Sequence, residues 1–318
     1  MPSLSFDKVQ GAKPVAVVRG GDRDGSVLYL HTEEGRRAPG SVQREVETAK
    51  YMPDLEPHVK PGDRVKVMTT LVEAVEKGLD ADALVGVPAG AKALFKKMVA
   101  DRAADRTLEL YDDAKFQPIP DPNPDVRQVW YVAGQSGSGK SYFARGIAEA
   151  YKKLFPEREV YLISKLQEDE TLDRMKVGKP KRISLDSLVT DPPELDEFKD
   201  CLVIFDDFDT LSPPYDKVVH KLIEDLCIMG RHTRTSMLIL SHYLTNYKKT
   251  RLILGEAHFL VVYPLATSYK ALKYVCEHYG GMEAKQIAEL KRLGRWVLIM
   301  KNFPSYVIAA QTAYMLHG

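Results

Sequence analysis

Residues 134–141 read G-Q-S-G-S-G-K-S, three glycines, a lysine and a hydroxyl compressed into one turn. Gly134, Gly139, Lys140 and Ser141 match the spacing GxxxxGK[ST] of a phosphate-binding loop. Glycines let the backbone fold tightly enough to point successive N–H groups at one anion. A helix beginning at Lys140 would add the positive end of its dipole beneath the phosphates. On this pattern Gly134, Gln135, Ser136, Gly137, Ser138, Gly139, Lys140 and Ser141 bind the phosphates of ATP. Lys140 is the cation for the β- and γ-phosphates, and the Ser141 hydroxyl serves Mg2+.

A nucleotide site of this kind needs acids. The run L-V-I-F-D-D-F-D at 202–209 is an apolar strand ending in carboxylates. Asp206 at the strand end is assigned to the magnesium shell, and Asp207 to polarising the attacking water as general base. Asp209 is the fallback for the base, because an aspartate is shorter than the glutamate many such ATPases use. The later strand S-M-L-I-L-S-H ends in Ser241 and His242. In ATPases with a separate catalytic acid, such a strand lies between the two motif strands and presents a polar residue to the γ-phosphate, which here is His242. G-R-H-T-R-T at 230–235 offers arginines whose planar fork suits a γ-phosphate, often across a subunit boundary. The order of candidates is Arg231, Arg234, then Arg251. His220, His232 and Cys227 lack zinc-site spacing and read as structural.

The elements that must position these groups are visible as an alternation. R-Q-V-W-Y-V-A (127–133), E-V-Y-L-I-S (159–164), C-L-V-I-F-D-D (201–207), S-M-L-I-L-S (236–241), H-F-L-V-V-Y (258–263) and R-W-V-L-I-M (295–300) are apolar strand-like runs. Helical segments at 140–155 and behind the acidic strand separate them. Runs this apolar imply burial on both faces, so the expected fold is α/β, a parallel sheet flanked by helices. Four prolines within F-Q-P-I-P-D-P-N-P-D (116–125) exclude a helix or central strand, and mark a linker over 116–126. The ATPase domain is then 127–318. Residues 1–115 read as a small α+β domain, with a hairpin of V-A-V-V-R and S-V-L-Y-L-H and helical spacing in T-L-V-E-A-V-E-K and A-K-A-L-F-K-K-M-V-A-D-R. No motif lies within it.

Composition narrows the class. Lys plus Arg number 45 against 44 Asp plus Glu, a net charge of +1 over 318 residues. That balance excludes a histone-like mode of nucleic-acid binding but leaves room for a local basic lining. The three cysteines form no CxxC pair, which disfavours a disulfide framework and fits a reducing compartment. No apolar run approaches the ~20 residues of a membrane helix, and the N-terminus lacks the apolar core of a signal peptide, so a soluble protein is expected.

Together, G-Q-S-G-S-G-K-S, V-Y-L-I-S-K, L-V-I-F-D-D-F-D, G-R-H-T-R-T-S-M-L-I-L-S-H and R-L-I-L-G-E-A-H-F-L-V-V-Y resemble the genome-packaging ATPases of large nucleocytoplasmic DNA viruses, the poxvirus type, within the FtsK/HerA superfamily. The resemblance covers roughly 127–305. It implies a homo-oligomeric ring that drives double-stranded DNA into a preformed capsid using ATP, with a capsid or portal component as partner. The implied location is the virion or the viral factory of the host cytoplasm. Two other classes are weighed. A small-molecule or nucleoside kinase would use the same loop but needs an acceptor pocket and an arginine lid, for which 165–200 offers Arg174 and Arg182. A scaffold holding ATP as a structural ligand would not need the Asp206–Asp207 pair.

Overall fold

The computed structural model describes residues 2–32, 40–77, 79–105 and 107–316. Two compact units emerge: residues 32–108 with the short segment 9–11, and residues 2–8, 12–31 and 109–318.

The strands open the chain: Ser3–Ser5 (β1), Lys13–Arg19 (β2) and Val27–His31 (β3). The unit of residues 32–108 is helical, with Gly40–Leu55 (α1), Arg64–Glu76 (α2) and Ala89–Asp105 (α3). Its core comprises Tyr51 and Leu55 of α1, Met68, Leu71, Val72 and Val75 of α2, and Ala91, Leu94, Phe95 and Met98 of α3, which recur at helical spacing within each element. The segment Thr107–Glu109 (β4) runs across the division, and Lys115–Pro118 (β5) follows.

The boundary differs from the one drawn at 1–115, 116–126 and 127–318. The expected hairpin is present, β2 pairing antiparallel with β3. It groups with the larger unit, because β2 also pairs with β5, Val18 opposite Phe116 and Ala16 opposite Pro118. Part of the proline-rich stretch is therefore strand rather than linker. Pro118 is tolerated since it closes an edge strand, where a missing N–H breaks no ladder.

The larger unit continues with Val129–Ala133 (β6), Lys140–Leu154 (α4), Val160–Ser164 (β7), Lys181–Arg182 (β8), Leu185–Thr190 (α5) and Leu202–Asp206 (β9). Then come Tyr215–Met229 (α6), Ser236–Ser241 (β10), Tyr247–Glu256 (α7), Phe259–Val262 (β11), Tyr269–His278 (α8), Ala284–Glu289 (α9), Val297–Met300 (β12), Tyr306–Ala309 (β13) and Thr312–Met315 (β14). Its main sheet has the order β14-β13-β12-β11-β6-β10-β9-β7-β8. Every residue of β6, β9 and β10 is buried, which explains their unbroken apolar runs. Helix α4 buries Phe143, Ala144, Ile147, Ala148 and Tyr151, one face at 3.6-residue period, and stops ahead of Phe155-Pro156.

From β8 to β11 the strands run parallel. The expectation of a wholly parallel sheet needs correcting at the other side, where β11 to β14 pair antiparallel. For the last two pairs the connections are too short for anything else. Residues 301–305 join β12 to β13 and 310–311 join β13 to β14, whereas a parallel return needs about a dozen residues or more. The order β6-β10-β9 places the strand that ends at Ser241 between the glycine-loop strand and the acidic strand, as the sequence implied. This is the P-loop ATPase fold in which an additional strand separates the loop strand from the acidic strand.

Candidate active site

The three strands β6, β10 and β9 end side by side, and their C-terminal ends carry the site. The glycine loop leaves β6 at Ala133, and the Gly134 N–H donates to the Ser241 carbonyl at 3.0 Å, tying the loop to the end of β10. A Cβ on Gly134 would stand 2.6 Å from a ring carbon of Tyr263, so only glycine passes there. Gly137 and Gly139 adopt φ of 73° and 106°, the left-handed region that a tight loop requires. Lys140 opens α4 and is 7% exposed. Its Nζ donates to the Gly134 carbonyl at 2.9 Å and lies 3.8 Å from Asp207 Oδ1. The ammonium thus spans the mouth of the loop, with a carboxylate facing it.

Asp206, at the end of β9, is buried and accepts from Ser164 Oγ at 3.0 Å, the hydroxyl ending neighbouring strand β7. Burial, then the adjacent charge of Asp207, push its pKa up to about 6. A carboxylate in that position fits a divalent cation, whose charge would offset both effects. Ser141 and Asp206 are hard oxygen donors of the kind Mg2+ takes, with water and phosphate completing its shell. The sign of the stability effect follows from the raised value. Ionised Asp206 destabilises the metal-free fold above about pH 6, and that penalty disappears as pH falls towards the unfolded value near 4. Two pKa units correspond to about 3 kcal/mol. Asp206→Asn, which keeps an acceptor for Ser164, should therefore raise the melting temperature of the nucleotide-free protein at pH 7 by several degrees. The same variant should lose the dependence of nucleotide binding on magnesium. Melting curves and a magnesium titration check both halves.

Asp207 turns the chain, with φ of 49°. Its Oδ2 lies 3.0 Å from His242 Nε2, while Oδ1 faces Lys140. Asp207, His242 and Lys140, drawn from three separate elements, therefore meet at the loop. Asp209 does something else. It is 8% exposed, and its Oδ2 accepts from Ser241 Oγ at 2.8 Å, the His242 N–H at 2.9 Å and the Tyr243 N–H at 3.2 Å. This fallback base lies under the end of β10, where it shapes the turn that carries His242. Its place is beneath the site and not in it.

Comparison with known proteins bears on the lineage. No family model matches the chain. Uncharacterized protein V3 of Sputnik virophage is 34% identical over 225 residues, covering 69% of this chain and 89% of the relative. The chain belongs to the family of that virophage protein. Among solved structures, the DNA-packaging ATPase B204 of Sulfolobus turreted icosahedral virus aligns over 58% of this chain and 98% of its own, at 12% identity and a TM-score of 0.40. The pCW3 conjugation coupling protein TcpA aligns over 60% and 62%, at 16% identity and a TM-score of 0.42.

The predicted arginines lie elsewhere within the chain. The segment 230–235 enters β10 at its N-terminal end, and Ser236 to Ser241 at ~3.3 Å per residue separates it from the loop by ~16 Å. Arg231 is exposed there. Arg234 is clamped by Asp200, Nε to Oδ1 and Nη2 to Oδ2, both at 2.6 Å. Arg251 lies on α7. The cysteines are free and buried, and among the described residues no group of three or more His, Cys, Asp or Glu could hold a metal. Among the described residues no helix is long and apolar enough to cross a membrane.

Sequence reasoning missed Ser164 and Arg295. Ser164 was legible only as the last residue of an apolar strand. Arg295 donates from Nε to the Ser138 carbonyl at 2.7 Å and from Nη2 to the Gly137 carbonyl at 2.6 Å. Nothing in R-L-G-R-W marks it out, since its partner lies 157 residues away.

Proposed function

We propose that the protein hydrolyses ATP and uses the energy to translocate double-stranded DNA, packaging a viral genome into its capsid. The observation that carries the enzymatic part is the meeting of Lys140, Asp207 and His242 at the mouth of the glycine loop. Loop amides and Lys140 bind the phosphates. Asp207 takes a proton from the water that attacks the γ-phosphorus, as the bond to the bridging oxygen breaks and ADP leaves. His242, whose backbone N–H donates to Asp209 and whose Nε2 stands 3.0 Å from Asp207, is placed to hand its ring N–H from Asp207 to the γ-phosphate, and it links the site to the end of β10. Ser141 and Asp206 would hold Mg2+, which neutralises charge on the β- and γ-oxygens when bound.

The DNA part rests on the acid pair, the G-R-H-T-R-T segment and the strand ending Ser241-His242, the block that resembles packaging motors. Kinase chemistry has less support. Arg182, a lid candidate, is spent on Asp173 at 2.8 Å and on the Leu166 carbonyl at 2.7 Å, within its own segment. Phosphate release measured with and without double-stranded DNA tests the reading. DNA should stimulate turnover several-fold and progressively less as salt rises, since phosphate contacts are screened. Release indifferent to DNA at low salt would overturn the motor.

A ring places one subunit's arginine on the next subunit's nucleotide. Exposed Arg231, near the opposite end of β10 from its own loop, is our candidate, ahead of the clamped Arg234. Arg231→Ala should leave nucleotide binding intact and lower turnover by about 10³-fold or more. Mixing it with Lys140→Ala subunits should restore activity, because a mixed ring contains sites built from two good halves. Exchanging rings that show no recovery would remove Arg231 from this role.

A further inference from the structure

We propose that Arg295 is a positioning residue that holds the phosphate loop in its anion-binding shape before nucleotide arrives. The inference rests on the phosphate-loop reading and deepens it.

The register of the antiparallel strands brings Arg295 to the loop. Val297 opens β12 opposite Val262, and Val262 lies opposite Ala133, the residue from which the loop departs. Two residues before Val297, Arg295 reaches the loop from the side of its carbonyls. Its fork engages two successive ones, Gly137 and Ser138, at 2.6 and 2.7 Å. Its Nε lies 3.6 Å from the position a Gly139 Cβ would take. Charge-assisted bonds of this geometry are the stronger kind, and a planar fork sets direction as well as distance.

The rest of the loop is secured differently. At its start Gly134 is packed on Tyr263 and bonded to Ser241, and at its end Lys140 enters α4. In the middle Gly137 is open, since a Cβ there would meet nothing within 4 Å, while Ser138 is buried and its N–H donates to the Gln135 carbonyl at 3.1 Å. Ser138 Oγ is buried with no hydrogen-bond partner, so that side chain adds no tether. Two glycines in the left-handed region leave this stretch with many alternative conformations. Because the Ser138 N–H is already tied to the Gln135 carbonyl, the fork acts on the next peptide. Drawing the Ser138 carbonyl outward turns the Gly139 N–H of the same unit inward, where an anion needs it. Without the fork only a fraction of molecules presents the nest. The apparent dissociation constant then rises by the inverse of that fraction, while bound complexes react as before.

Arg295→Ala should weaken binding of a non-hydrolysable ATP analogue about 10-fold and of tripolyphosphate by the same factor. The kcat at saturating ATP should stay within about twofold. Amide exchange at residues 136–139 should quicken in the nucleotide-free protein, a change independent of catalysis. Arg295→Lys, a point charge able to reach one carbonyl, should fall between, and it serves in place of the alanine variant if that misfolds. Unaltered affinity for both probes with unaltered exchange would overturn the proposal. So would a loss confined to the ATP analogue, since Arg295 would then touch the nucleoside. Lys140→Ala separates the two readings. If that variant binds tripolyphosphate normally, the phosphate loop itself is misassigned; if it fails while Arg295→Ala binds normally, only the role of Arg295 falls.

Discussion

Replacing Lys140 by alanine should abolish ATP turnover, by about 10³-fold or more, and weaken nucleotide binding by about 100-fold, in a protein that remains folded. The ammonium is nearly buried yet its neighbours are two backbone carbonyls and a carboxylate rather than core side chains. Its loss opens no apolar cavity, so the melting temperature should move little. What disappears is the cation that meets the β- and γ-phosphates. Each hydrogen bond to a charged group is worth about 1.5–3 kcal/mol, and two such bonds account for the affinity. Asp206 and Asp207 would also face the incoming phosphates with less opposing charge. The decisive measurement is turnover alongside binding of a fluorescent nucleotide and a melting curve. Hydrolysis at the normal rate by a folded Lys140→Ala protein would refute the assignment of the loop.

The second large effect separates two aspartates that stand one residue apart from each other. Asp207→Asn should bind magnesium and ATP nearly as the parent does but hydrolyse it at least about 10²-fold more slowly, the range expected for loss of a general base. Asparagine accepts the left-handed backbone found at Asp207 and keeps the side chain's shape, so geometry survives while basicity is lost. Asp209→Asn should behave in the opposite way. One Asp209 oxygen collects three donors and the other is buried without a partner, so an amide there places N–H groups where no acceptor waits. That costs about 1–3 kcal/mol and lowers the melting temperature by several degrees. The remaining folded molecules should still turn over. If Asp209→Asn alone stops hydrolysis in a stable protein, the base has been misplaced.

Much of this site was legible because the relevant constraints are local. A phosphate loop needs glycine where the backbone turns left, and Gly137 and Gly139 sit in that region. Strands buried on both faces must be apolar throughout, so β6, β9 and β10 announced themselves, as did the polar residues at their ends. The helix at Lys140 carries its own apolar face, and its period is written in consecutive residues. The antiparallel strands β13 and β14 were missed, being four residues each and without a helix to punctuate them.

What tertiary structure decided are choices among like residues and between distant ones. Asp207 and Asp209 are chemically the same, but the turn at Asp207 leaves one against His242 and carries the other beneath β10. Arg234, second to Arg231 on the sequence, is clamped by Asp200, 34 residues earlier, which nothing local to G-R-H-T-R-T announces. The hairpin of residues 13–31 belongs with the ATPase unit because β5 pairs with it across nearly a hundred residues of chain. Arg295 reaches the loop only through the register of β12 on β11 and of β11 on β6. Glycine conformation and apolar period act within a few residues, so the sequence alone determined the loop, the strands that hold it and the acids beside it. Partners separated by tens of residues are set by strand order and register, which depend on how every neighbouring element packs at once.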